Sequence, residues 1–117
     1  MAKIRVKNLL LRTYIGFNPE ELVNKQDVMI NLEIETAIPR QALENDEPDG
    51  IYDYKVITKE IIHYVQEGHF KLLEVLTQNL LTLIMKDERV VWARVEVDKP
   101  HALRFAKSVS FEMEAHR

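Results

Sequence analysis

The sequence predicts an α+β domain with the element order β-β-α-α-β-β, in which one four-stranded antiparallel sheet carries two helices on its apolar face. Three observations lead there. Apolar and polar residues alternate over 3–15, 27–36, 90–98 and 108–116, the period of a half-buried strand. Between these runs, residues 53–65 and 71–87 carry apolar residues at helical spacing. The chain has 117 residues, of which 46% are hydrophobic, with no repeat or low-complexity stretch. That is one domain, spanning 1–117, with enough apolar surface for a core.

In the first strand Ile4 and Val6 oppose Lys3, Arg5 and Lys7, after which Leu9, Leu11, Thr13 and Ile15 continue in the odd phase. A change of phase between Val6 and Leu9 predicts a bulge near Asn8. Gly16 and "NPEE" (18–21) mark a turn. The second strand alternates cleanly, with Val28, Ile30, Leu32 and Ile34 on one face and Met29, Asn31, Glu33 and Glu35 on the other. "IPRQALENDEPDG" (38–50), with two prolines, a glycine and an acidic cluster, reads as an exposed loop.

Asp53 is a plausible N-cap for the first helix, whose stripe is Tyr54, Ile57, Thr58, Ile61, Ile62 and Val65; Gly68 suits its stop. The second helix runs from about Lys71 to Asp87 with the stripe Leu72, Leu73, Leu76, Leu80, Leu83 and Ile84. "VVWARVEVD" (90–98) and "SVSFEMEAH" (108–116) complete the sheet.

Composition excludes several classes of function. There are no cysteines, hence no disulfide framework and no thiolate zinc site. His63, His69, His101 and His116 lack metal-ligand spacing. The net charge of −3 gives no general attraction to nucleic acid. No stretch is long and apolar enough to cross a membrane, and "MAKIRVKNLL" has no signal-peptide core. The expectation is a cytoplasmic protein.

Two features ask for more than a fold. The second face of the sheet carries Glu33, Glu35, Trp92, Arg94, Glu96, Glu112 and Glu114. A solvated face explains this, as does a polar lumen if copies join their open sheet edges into a ring. The other feature is Glu74 in "KLLEVLTQNLL" (71–81). It points away from the helix stripe, as a surface charge does, and a carboxylate is welcome near a helix N-terminus. Yet Leu73 and Val75 flank it, and Leu81 lies one heptad on in the same direction. Surface charge and ligand anchor both remain open.

Four segments, in order, resemble the dihydroneopterin aldolase family: "LRTYIGFNPEE" (11–21), "IYDYKVITKEI" (51–61), "LLEVLTQNLL" (72–81) and "VEVDKPHALRFAKSVSFE" (95–112). The resemblance covers nearly the whole chain. "LRTYIGF", "NKQDV" and "DKPHALRFAKSVS" are more similar to the epimerase branch of that family than to its ordinary aldolases, which more often carry glycine before the glutamine where this chain has Lys25-Gln26.

The resemblance implies the tunnelling fold, with four sheets closed into a ring, two rings stacked as a homo-octamer, and active sites between subunits. It implies that Glu74 grips a pterin through its 2-amino and N3 groups, a pair of parallel hydrogen bonds that suits a carboxylate, aided by backbone near Leu73. It places Tyr54, Lys99 and Glu21 in the catalytic set, with Glu20 adjacent and a register slip conceivable. Without the resemblance, Tyr54 would read as a core aromatic, Lys99 as a solvated loop lysine and Glu21 as a turn charge.

It further implies a retro-aldol step on a reduced pterin side chain, with the pterin ring as electron sink and with no metal or other cofactor. Inversion of C2′ of dihydroneopterin triphosphate is the expected outcome. Release of 6-hydroxymethyl-7,8-dihydropterin and glycolaldehyde is the aldolase alternative, and a non-catalytic pterin- or purine-binding ring is the alternative of another class. A triphosphate needs cations, and "KPHALRFAK" (99–107) supplies His101, Arg104 and Lys107 beside Lys99. Arg104 is the foremost candidate, because its planar fork suits phosphate oxygens. Arg104 and Lys107 also read as edge-strand charges that oppose aggregation.

Overall fold

The computed structural model describes all residues, 1–117. Five strands form one sheet in the order β3-β1-β2-β4-β5. β1 (Ala2–Ile15), β2 (Gln26–Thr36), β4 (Val90–Pro100) and β5 (Ser108–His116) are antiparallel neighbours, as the alternation predicts. The predicted bulge is present between Val6 and Leu9. Asn8 takes a left-handed φ of 56°, and its N–H donates to Asn31 Oδ1 at 2.8 Å, which locks the bulge in place.

Three expectations need correction. The sheet has a fifth strand, β3 (His69–Phe70), parallel to the end of β1. Two residues are too few for a periodic signal, and the strand exists because the link between the helices runs past Gly16, whose N–H donates to Phe70 O at 2.8 Å. The "NPEE" turn continues into a short helix α1 (Pro19–Val23). The loop 38–50 contains α2 (Arg40–Asn45), one and a half turns ending in a left-handed Asp46.

α3 (Tyr54–Gln66) and α4 (Leu73–Met85) lie on the apolar face of the sheet. Ile57, Ile61 and Val65 of α3 and Leu76, Leu80, Leu81 and Ile84 of α4 are buried against Ile30, Leu32 and Ile34 of β2 and Val95 and Val97 of β4. The expected α4 stripe shifts at both ends. Leu72 is the exposed N-cap, Leu83 is half-buried, and Leu81 is buried although Glu74, one heptad earlier, stands on open surface. Thr13 fastens α3 to β1 by donating its hydroxyl to Val65 O at 2.6 Å.

The polar face is a charge network. Glu33 sits at its centre, 2.5 Å from Arg94 Nη2, 3.3 Å from Arg5 Nε and 3.9 Å from Lys3 Nζ. Burial alone would raise the Glu33 pKa, but the Arg5 hydrogen bond and the charges of Arg94, Arg5 and Lys3 outweigh it and hold the carboxyl low. The outer edge of β1 up to Thr13 and that of β5 are unpaired within the chain. No helix is long and apolar enough to cross a membrane.

Candidate active site

Lys99 is the penultimate residue of β4, and Pro100 holds it extended. Strand alternation puts it on the same face as Val95 and Val97, just past the end of the core. There its Nζ meets Glu21 Oε2 at 2.5 Å, and both side chains are largely buried.

Glu21 owes its position to α1. Asn18 caps that helix by accepting from the Glu21 N–H at 3.0 Å, while Glu21 Oε1 accepts from the Asn18 N–H at 3.4 Å. This reciprocal capping box fixes the glutamate backward over the turn. Gln26 at the start of β2 donates to Glu21 Oε2 at 3.1 Å and to Ile15 O at 2.9 Å, tying the carboxylate to the end of β1.

Gly16 leaves room for all of this. Its φ is +123°, and a Cβ there would lie 2.2 Å from the Glu21 carboxyl carbon. The Lys99 hydrogen bond is the main cause of a lowered Glu21 pKa; burial opposes it, and Gln26, Asn18 and the Lys99 charge add to it.

The start of α4 lies over the same end of the sheet. Glu74, Val75, Gln78 and Asn79 face Phe111 and Met113 of β5 across a shallow hollow of about 300 Å³. Phe111 is opposite Val97, and Val109 is opposite Lys99, so the hollow is two residues along the strand from the lysine, about 7 Å. No side chain caps α4 at Leu72, so the first N–H groups, Leu73 among them, are left for a ligand or water. The Leu73 carbonyl is taken by the Thr77 hydroxyl at 2.8 Å.

Residues 101–107 form the hairpin loop between β4 and β5, closed by His101 N–H donating to Lys107 O at 3.4 Å. Arg104 and Lys107 are therefore loop cations, not strand-edge ones. His101, with a left-handed φ of 62°, lines one groove with Glu21 and Gln26 and another with Asp98, Lys107 and Ser108. Arg104 lies exposed in the loop next to Phe105, whose side chain stands fully in solvent.

Tyr54 is not with the others. It begins α3 and is 51% exposed, so it is not a core aromatic. α3 ends at the Thr13 end of the sheet, close to Glu21, and its 13 residues carry Tyr54 about 20 Å away. Arg89 beside the start of β4 bonds Ile51 O at 3.0 Å, which fixes the Tyr54 segment at the end of β4 opposite to Lys99. One chain brings Glu21, Lys99, His101, Leu73 and Glu74 to one end and leaves Tyr54 at the other.

Asn18, Gln26 and Gly16 were missed in the sequence. The spacing Asn18-x-x-Glu21 is a capping-box signature, and it is Glu21, not Glu20, that meets Lys99. Gln26 stands out in the sequence only as part of "NKQDV", with nothing there to tie it to Glu21. No group of three His, Cys, Asp or Glu side chains is placed to hold a metal.

A profile of the family described as dihydroneopterin aldolase matches residues 4–114. A dihydroneopterin triphosphate 2′-epimerase of Pseudomonas aeruginosa is 52% identical over 117 residues, covering 100% of this chain and 94% of that one. A dihydroneopterin triphosphate 2′-epimerase of Escherichia coli K12 is 43% identical over 116 residues, covering 99% and 96%. In fold, the E. coli dihydroneopterin aldolase solved in complex with neopterin superposes with a TM-score of 0.90 at 23% identity, covering 98% of this chain and 99% of that one. The tunnelling fold is therefore present, with five strands where four were expected, and the chain belongs to the dihydroneopterin aldolase family.

Proposed function

We propose that the chain inverts C2′ of 7,8-dihydroneopterin triphosphate, giving 7,8-dihydromonapterin triphosphate. The observation that carries this reading is full-length similarity, at 52% and 43% identity, to two proteins named for that reaction. The Lys99–Glu21 pair beside the Glu74 hollow is consistent with it.

In this reading Glu74 accepts two parallel hydrogen bonds from the 2-amino and N3 groups of the pterin, with the uncapped start of α4 at Leu73 beside it. The pterin side chain then extends toward Lys99. Glu21 holds Lys99 in place, so the ammonium stabilises the alkoxide formed as the C2′ hydroxyl loses its proton to water or to Tyr54. The C1′–C2′ bond breaks, its electrons enter the ring at C6=N5, and an aldehyde bearing the phosphates forms. Rotation of that aldehyde, re-addition to its opposite face and return of a proton to the oxygen invert C2′. The ring itself accepts the electrons, so the step calls on no cofactor. His101, Arg104 and Lys107 are the groups offered to the triphosphate.

Tyr54 reaches such a site only from another copy. The two unpaired sheet edges and the polar face support a ring of sheets, and stacked rings make the homo-octamer. Sedimentation tests the assembly, and a stable monomer at micromolar concentration refutes it.

The reaction is tested by incubating the protein with dihydroneopterin triphosphate and separating the products by chromatography. The expected product is the C2′ epimer. Release of 6-hydroxymethyl-7,8-dihydropterin without epimer makes the protein an aldolase, and binding without turnover makes it a silent pterin-binding ring.

A further inference from the structure

The turn between α4 and β4 holds the segment that leads into Tyr54. Asp87 grips Arg89 three ways: Oδ2 accepts from Nη2 at 2.7 Å, while Oδ1 accepts from Nε at 3.0 Å and from the Arg89 backbone N–H at 2.9 Å. Held like this, Arg89 donates from Nη1 to Ile51 O at 3.0 Å, and its guanidinium lies 5.6 Å from the centre of the Tyr52 ring.

Tyr52 is buried, yet its hydroxyl has no hydrogen-bond partner. The ring therefore anchors the segment by burial, and the polar fixing comes from elsewhere. Asp53 supplies part of it, capping α3 by accepting from the Lys55 N–H at 2.8 Å. Upstream, Ile51 N–H donates to Pro48 O at 3.3 Å, and Arg89 holds the Ile51 carbonyl. The Tyr54 side chain is half-exposed, so the backbone before it decides where the phenol points.

We propose that Arg89 is a positioning residue for the reaction: clamped by Asp87, it fixes the Ile51–Asp53 backbone so that Tyr54 is presented in one place to the Lys99–Glu21 site of a neighbouring copy. This rests on the role of Tyr54 given above. A lysine does not substitute, because a single ammonium cannot hold both Asp87 oxygens and reach the Ile51 carbonyl in a fixed plane. The clamp also shows in the titration of its members. The Arg89 hydrogen bond is the main cause of a lowered Asp87 pKa, and the same bond raises that of Arg89.

A merely structural brace and a positioning residue differ in a double-mutant cycle. Turnover is measured for Arg89→Lys, Arg89→Ala, Tyr54→Phe and the Arg89→Lys/Tyr54→Phe pair, each checked by sedimentation for the wild-type assembly. Arg89→Lys keeps charge and bulk and serves if Arg89→Ala does not assemble. Either Arg89 change is expected to lower kcat roughly tenfold with little change in KM, as for a misplaced reacting group. In the Tyr54→Phe background, Arg89→Lys is expected to cost nothing more. Full additivity, or unchanged kcat in Arg89→Lys, overturns the proposal while leaving the role of Tyr54 standing. Undiminished turnover in Tyr54→Phe overturns both.

Discussion

Lys99 Nζ and Glu21 Oε2 are 2.5 Å apart, with 15% and 19% of their side chains exposed. The pair joins the end of β4 to α1, whose capping box turns Glu21 back over the preceding turn. Its hydrogen bond is the main cause that holds the Glu21 carboxyl below the ordinary carboxylate range.

That shift predicts a pH dependence. A carboxyl whose folded pKa is depressed adds stability that is fully present above its unfolded pKa and is lost as pH falls through the folded value. Glu21→Gln abolishes the titration. The difference in Tm between wild type and Glu21→Gln is expected to be flat from about pH 6 to 8 and to shrink below about pH 4.5. A difference that stays constant on acidification contradicts the assignment.

Gly16 predicts a loss of both stability and turnover. Gly16→Ala puts a Cβ 2.2 Å from the Glu21 carboxyl carbon at a φ of +123°, a conformation that costs an alanine about 1–3 kcal/mol. The carboxylate has to move, and Lys99 loses its partner. Thermal unfolding and kcat are expected to fall together, whereas Gly50→Ala, whose Cβ meets only Pro39 at 3.3 Å, is expected to leave kcat unchanged.

The sheet was legible because its signal is local and repeats: the Val28–Ile34 alternation and the Val6/Leu9 phase break both appear as read. α2 and β3 were not legible. α2 lies in a proline-flanked acidic stretch with no apolar stripe, and β3 is two residues long, so neither has a period to detect. Of the candidate site, Glu21, Glu74 and Lys99 were proposed through resemblance, and the chain places them at one end of the sheet. Pattern alone leaves Glu74 undecided, because the chain by itself keeps it on open surface. The separation of Tyr54 from Lys99 is a long-range fact, set by which end of the sheet α3 starts from, and no spacing in the sequence carries it.

Glu74 and Lys99 predict opposite kinetic signatures. In the proposed reading Glu74→Ala removes a pair of charge-assisted hydrogen bonds to the pterin, and it is expected to cost about 2–5 kcal/mol of pterin affinity in a correctly assembled protein. Lys99→Ala is expected to lower turnover of bound substrate far more than affinity, because the proposed role puts it at the reacting hydroxyl and not at the ring. Binding is measured by titration with a reduced pterin and turnover under single-turnover conditions. Unchanged affinity in Glu74→Ala returns that residue to the surface, and a Lys99→Ala protein that binds poorly but turns over normally reverses the assignment.

The hairpin between β4 and β5 predicts how products divide. After the C1′–C2′ bond breaks, the aldehyde fragment either re-adds or escapes. A triphosphate held by Arg104, with His101 and Lys107 near the strand ends, tethers the fragment beside the ring at high effective concentration, so re-addition outruns escape. Arg104 makes no ion pair within its own chain, which leaves its fork free for phosphate oxygens. Unphosphorylated dihydroneopterin lacks the tether, and some 6-hydroxymethyl product is expected from it. Arg104→Ala is expected to shift the triphosphate reaction the same way, raising cleavage relative to epimer while leaving the products of the unphosphorylated compound as they were. Chromatography of both reactions checks this. An unchanged ratio in Arg104→Ala moves the tether to His101 and Lys107, for which the paired variant His101→Ala/Lys107→Ala is the next measurement, and clean cleavage of both substrates by the wild type ends the tether argument altogether.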